Sequence, residues 1–292
     1  MPNISASTLE AHLNDICNVS PFLDSEIYDI TKCSIVQFRD YVNASSARLH
    51  LVAKRFADLG YQTTFEGVPF LGFRSQNGYF SKSKKPEILL VAHHDYRAGK
   101  GADDNASGLA VLLQLAEFFK DKDLGLLFVS TDLEEHSLGG SERFANILSC
   151  KPPKPKYVIC IDSIGSNSDI CVSKAFCQTH SNDRSKFKEF TYCDEGIVNR
   201  LISVAEAFGH NLVKAYVVDS GNDALSFARY NLPVVSIGSF HNIGLRYDGG
   251  FLWLPNFAKV IHTNNDIPSN LSLDNLVKVS EIVASFIQKY SS

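Results

Sequence analysis

Residues 88–119 read ILLVAHHDYRAGKGADDNASGLAVLLQLAEFF, and three kinds of chain meet in them. Ile88–Ala92 is a short, uniformly apolar run, the pattern of a strand covered on both faces. From Ser107 to Phe119 the pattern changes, with Leu109, Leu112, Leu113, Ala116 and Phe119 recurring at helical spacing. Between the two lies a polar turn that holds His93, His94, Asp95, Asp103 and Asp104. A buried strand, an acidic turn and an apolar helix make the first part of a βαβ unit.

The same alternation extends along the chain. Leu126–Ser130, Tyr157–Ile161, Val213–Val218 and Val234–Ile237 are further short apolar runs bounded by charged or turn residues. Gln37–Leu59, capped by Gly60, and Gly196–Gly209 and Leu273–Tyr290 carry helical stripes. Strands alternating with helices predict a single α/β domain over residues 1–292, with a mixed, mainly parallel sheet sandwiched between helices. Residues 1–35 read as an N-terminal extension. The polar stretch Ser163–Asp194 has poor periodicity and reads as a long loop, an insertion over 163–195 near the site.

Composition narrows the functional classes. The chain has 292 residues, 45% hydrophobic and 21% charged, which suits a soluble globular protein and not a disordered one. A net charge of −4 offers no basic surface for nucleic acid or an anionic membrane. No apolar run approaches the roughly 20 residues that span a bilayer, and the start lacks the pattern of a signal peptide. Seven scattered cysteines suit reduced thiols, so the expected location is cytoplasmic. The spacing of Cys171, Cys177 and Cys193 lacks the close pairs of a structural zinc site. The sequence leaves the oligomeric state open.

Acidic residues and histidines gather where ligands bind in open α/β sheets, beyond the carboxyl ends of strands. His93, Asp95 and Asp104 follow the first run, Glu134 and Glu135 the second, and Asp162 the third, while His262 and Asp266 stand near the C-terminus. Imidazoles and carboxylates without thiolates favour zinc, with manganese or cobalt as alternatives. The set is large enough for two ions that share a bridging group and activate a water for hydrolysis. Adjacent Glu134 and Glu135 point differently, so one can bind metal while its neighbour acts as general base.

Five segments then carry a family resemblance in the right order. Leu89–Ala110 (LLVAHHDYRAGKGADDNASGLA) and Phe128–Glu142 (FVSTDLEEHSLGGSE) resemble the metal-binding core of co-catalytic zinc aminopeptidases, the family of bacterial leucyl aminopeptidase and aminopeptidase Y. Ile159–Gly165, Ile261–Asp266 and the Asn222–Pro233 segment are similar to later motifs of that family. The resemblance runs from about residue 36 onward and implies a zinc-exopeptidase, phosphorylase/hydrolase-like fold. It implies an aminopeptidase that hydrolyses the N-terminal peptide bond of a peptide or aminoacyl substrate, using a water that bridges two zinc ions. It assigns His93 and Asp162 to one zinc, Glu135 and His262 to the other, and Asp104 to both. Asp95 would orient His93, Glu134 would be the general base, and the Asp103–Asp104 peptide bond would be cis. His94 falls at the variable position and stays outside this set.

The chain departs from the family where Ser-Asp-His becomes Asn222-Asp223-Ala224, a change that bears on packing or substrate fit. Ile261 also stands where some members carry a tyrosine that stabilises an oxyanion; Tyr247 is a candidate substitute, and the sequence leaves the oxyanion donor open. Phe251 and Trp253, in the aromatic stretch Phe240–Phe257, join Tyr247 as candidates for a substrate side-chain pocket. Two other readings compete: a one-zinc acyltransferase like the glutaminyl cyclases, and a non-catalytic binding domain on the same fold. Asp104-Asn105 in place of the cyclases' Asp-Ser, and a full ligand set, favour the aminopeptidase.

Overall fold

The computed structural model describes residues 2–25, 34–70, 72–166, 169–180, 183–240, 246–247, 250–253 and 259–291. Two helices open the chain, α1 (Ala6–Val19) and α2 (Ile35–Asp58), followed by the hairpin β1 (Gln62–Phe70) and β2 (Phe73–Ser81). Next come β3 (Ile88–His93), α3 (Gly108–Phe118), β4 (Leu126–Thr131), α4 (Gly139–Ser149) and β5 (Tyr157–Ile161). A second hairpin, β6 (Asp169–His180) and β7 (Asp183–Tyr192), precedes α5 (Glu195–Ala207), β8 (Val213–Val218), α6 (Asp223–Arg229) and β9 (Val234–Phe240). The chain closes with β10 (Arg246–Tyr247), β11 (Gly250–Trp253) and α7 (Leu273–Tyr290).

The strands form one mixed sheet in the order β1-β2-β4-β3-β5-β9-β6-β8-β11-β10, with β7 paired to β6. Its centre, β4-β3-β5-β9, is parallel throughout. At the β9–β6 seam the direction reverses, and β6, β8 and β11 then run parallel to one another. Both faces of the centre are covered, which is why β3 is buried along its whole length. Leu109, Leu112, Leu113 and Phe119 fill one side, with Leu9 and Leu13 of α1 and Val279, Val283 and Phe286 of α7 in the same core. The fold is thus a single α/β domain with a mixed sheet between helices. Among the described residues no helix is long and apolar enough to cross a membrane, and the six described cysteines are free thiols.

The structure corrects one expectation about local structure. Ser163–Asp194 is not a long loop: most of it is the β6–β7 hairpin, and β6 is an internal strand of the sheet. A register shift between Ser173 and Ala175 breaks the two-residue alternation there, so the strand loses its signature in the sequence.

Local chemistry sets the boundaries that matter for the site. Ser34 caps α2 in a reciprocal box with Gln37. The turn after β3 bends at Gly101, where φ is +51° and a Cβ would collide with Tyr96. Asn105 then locks the turn to its neighbours: its side-chain amide donates to the Ile161 carbonyl at 2.8 Å and accepts from Gly108 N at 2.9 Å.

Candidate metal centre

The acidic and imidazole side chains singled out in the sequence converge over the carboxyl ends of β3, β4 and β5. Asp104 lies at their centre. One of its oxygens is 3.0 Å from His93 Nε2, and the other is 3.0 Å from His262 Nε2. Asp162 Oδ1 lies 3.5 Å from His93 Nε2, and Glu135 Oε2 lies 3.1 Å from His262 Nε2. Two donor sets result, His93/Asp104/Asp162 and Asp104/Glu135/His262, each compact enough for one ion and sharing Asp104. Glu134 belongs to neither set; its carboxylate faces the same space, 4.0 Å from His93 Nε2.

The backbone that delivers these groups is unusual. Leu133, Ser137, Leu138, Ser163 and His262 all adopt left-handed conformations without being glycine, a state that costs about 1–3 kcal/mol each and concentrates at functional sites. Leu133, at φ +58°, turns the chain just before Glu134 and Glu135. The cis bond joins Asp104 to Asn105, not Asp103 to Asp104 as expected, so it follows the shared aspartate instead of preceding it.

A second layer of residues holds the donors in place. His93 Nδ1 faces the Asp95 carbonyl at 3.0 Å and its carboxylate at 3.4 Å, which assigns the proton to Nδ1 and turns the Nε2 lone pair toward the carboxylates. Asp95 also accepts from the Tyr41 hydroxyl and from Glu135 N, at 3.1 Å, so one carboxylate braces both donor sets. Asp266 accepts from Asp103 N and Asp104 N, and Asp103 accepts from Gly165 N and Ser166 N. Beneath Glu134, Asp223 accepts from Thr131 at 2.6 Å. Arg48, fully buried on α2, donates to Ser20 and to the carbonyls of Lys100 and Gly101 while stacking on Tyr96. It thereby clamps the loop between His93 and Asp104. None of Tyr41, Arg48 and Thr131 was visible as a site residue in the sequence: Tyr41 and Arg48 reach the site from α2, distant along the chain, and Thr131 acts through Asp223, which is distant from it in sequence.

The electrostatics call for cations. Burial pulls the His93 imidazole down, yet the carboxylates of Glu134, Asp104, Asp162 and Asp95 outweigh it and hold it well above its ordinary value. His262 is raised in the same way by Glu135 and Asp104. Burial pushes the Glu135 carboxyl up to about 6 and raises Glu134 well above its usual range. For Asp104 the two imidazoles override burial and hold it well below the carboxylate range. His93 Nε2 and Glu135 Oε1 are buried without a hydrogen-bond partner among the described residues. Unpartnered nitrogen and oxygen donors turned into an acidic pocket fit divalent metal.

The donors floor a cleft of about 300 Å³. Its walls include Cys171 and Ser173 of β6, Val217 of β8, Leu225 of α6 and Gly238 of β9, with Arg97 and Ile261. Asn222 also lines it and donates to Ser236 at 2.7 Å, so the altered Asn222-Asp223-Ala224 triplet caps α6 beside the cleft. Phe251 packs with Cys171, itself on the cleft wall, and Ala215. The side chains of Tyr247 and Trp253 lie outside the described residues. His94 is buried behind the site, 2.9 Å from Ser130 Oγ, and faces away from the donor sets.

The sequence profile of Peptidase family M28 matches residues 78–287, a segment that contains every donor named above. The chain belongs to this family. No curated protein matches it in sequence. Solved structures similar to it include the LapA aminopeptidase of Legionella pneumophila (17% identity, TM-score 0.69, covering 99% of this chain and 70% of that one). A zinc-dependent exopeptidase from Parabacteroides distasonis superposes at TM-score 0.69 with 18% identity, covering 98% of each chain. A glutaminyl cyclase of Porphyromonas gingivalis gives TM-score 0.67 and 19% identity, again with 98% of each chain covered. At such identities these likenesses establish the fold alone. Membership of the family is broader than the leucyl aminopeptidase and aminopeptidase Y resemblance, since cyclases and aminopeptidases share the architecture.

Proposed function

We propose that the chain is a metal-dependent aminopeptidase with two zinc ions, which removes the N-terminal residue of a peptide. The observation that carries the reading is the position of Asp104, with one oxygen toward His93 and the other toward His262 at equal distances of 3.0 Å. In this reading His93 and Asp162 hold one ion, Glu135 and His262 the other, and Asp104 both. Bound there, the ions would supply Lewis acidity, polarising the scissile carbonyl and making a water easier to deprotonate.

The protein's own residues supply the rest. Glu134, free of both donor sets and turned into the same space, takes the proton of the attacking water and hands it to the departing amine. Burial and the acidic groups of Asp162, Glu135 and Asp223 raise its proton affinity, which suits a base. Asp95 and Tyr41 hold His93 and the Glu135 backbone in register. The cleft walls of β6, β8 and β9 exclude water and receive the N-terminal side chain.

Zinc content measured beside hydrolysis of a panel of aminoacyl nitroanilides tests this reading. Two zinc ions per chain with release of nitroaniline are expected. One zinc with conversion of N-terminal glutamine to pyroglutamate would instead make the protein a cyclase. Neither metal nor turnover would leave a binding domain.

A further inference from the structure

Arg97 is the one lysine or arginine among the described residues that line the cleft. Its side chain is 30% exposed, and its Nε lies 3.7 Å from Glu135 Oε2, which is nearly fully buried. That separation is long for an ion pair, and Glu135 is already engaged with His262 at 3.1 Å. The guanidinium fork makes no hydrogen bond to a described residue, so its planar donors remain available to an anion. Apart from the ions of the aminopeptidase reading and the donor His262, the other described residues of the lining are neutral or acidic, so a substrate carboxylate lying beyond the ions meets its cationic partner at this arginine.

Building on the aminopeptidase reading, we infer that Arg97 binds the α-carboxylate of the residue just after the scissile bond, which makes dipeptides the preferred substrate class. The spacing agrees. The fork stands close to Glu135 and the reacting centre, and one residue of extended chain spans only about 3.5 Å. A dipeptide thus brings its terminal carboxylate to the arginine, whereas a longer peptide places a neutral amide there. The fork can meet the carboxylate with two parallel hydrogen bonds.

The test compares leucylglycine, which ends in a carboxylate, with leucylglycinamide and glutamylglycinamide. The last carries its carboxylate before the scissile bond. Wild-type kcat/KM is expected to favour leucylglycine over leucylglycinamide by about tenfold or more, mainly through KM, the scale of one charge-assisted pair. Arg97→Met should bring the two substrates to parity, and Arg97→Lys should keep part of the difference. Wild-type parity would overturn the inference, as would preference for glutamylglycinamide. So would a loss in Arg97→Met that strikes both leucyl substrates equally, since that marks mere support of Glu135.

Calorimetric binding of the same compounds to a Glu134→Gln variant provides a readout without turnover. If the wild type hydrolyses none of them, the aminopeptidase reading fails, and tighter binding of leucylglycine than of its amide still supports the role of Arg97. Equal affinities would overturn it.

Discussion

The sheet has two halves that differ in more than position. In β4-β3-β5-β9 the strands are parallel, regular in register and buried, and the donors from β3, β4 and β5 leave their carboxyl ends within a few ångströms of one another. Beyond the β9–β6 seam the direction reverses, β6 carries a register shift, and the residues that face the cleft are Cys171, Ser173 and Val217. The regular half presents groups that can do chemistry, and the irregular half presents walls. Rigid, repetitive backbone suits groups that must be placed to a fraction of an ångström, while a strand with a bulge can be reshaped at little cost to the core.

The largest effects should come from the regular half and should separate two neighbours. Glu134→Ala is expected to keep its metal and lose activity by about 10²–10⁴, the worth of a general base. Glu135→Ala should lose metal, and excess zinc should restore part of the turnover. Zinc stoichiometry beside kcat for both variants reads the difference, and full activity in Glu134→Ala would break the assignment. Next comes the clamp on the donor loop. Arg48→Met leaves two buried carbonyls without their charged donor and should cost about 3 kcal/mol in urea unfolding, with Arg48→Lys intermediate. Unchanged stability would show that the loop holds its own shape.

Tyr41→Phe tests the brace at smaller scale. It removes the hydroxyl from Asp95, and zinc affinity measured by competition with a chelator should fall about 10-fold or somewhat more. The smallest effect belongs to the irregular half. Val217→Ala enlarges the wall and should shift the ratio of kcat/KM between phenylalanyl and leucyl substrates by about tenfold or less, with zinc content unchanged. If Val217→Ala released metal instead, the division between chemistry and walls would fail.

The same division explains what could be read from the chain in advance. Strands β3, β4 and β5 announce themselves as largely apolar runs and β8 as one interrupted by Lys214, and Tyr157–Ile161, Val213–Val218 and Leu273–Tyr290 have the expected bounds to the residue. The donors follow because acidic turns after buried strands meet at one edge of a parallel sheet. Strand β6 escapes because Lys174 sits at its bulge and because its polar neighbours mimic a loop. The one-residue error in the cis bond arises because Asp103, Asp104 and Asn105 are all short polar residues, with nothing in their order to tell which bond is turned. The bracing residues escape for a different reason: Arg48 and Tyr41 look like ordinary positions on a long helix, and only tertiary contact shows what they hold.

The tie between Arg48 and the donor loop reaches further toward the amino terminus. Ser20, at the end of α1, accepts from Arg48 Nε and, through its carbonyl, from Lys100 Nζ, and Leu23 pairs with Gly99 in an isolated bridge. All of these partners precede residue 78, where the family segment begins, except for the loop itself. The segment that matches the family profile is therefore smaller than the unit that holds the site: a protein trimmed to residues 78–287 would retain every donor while losing the strap on the loop between His93 and Asp104.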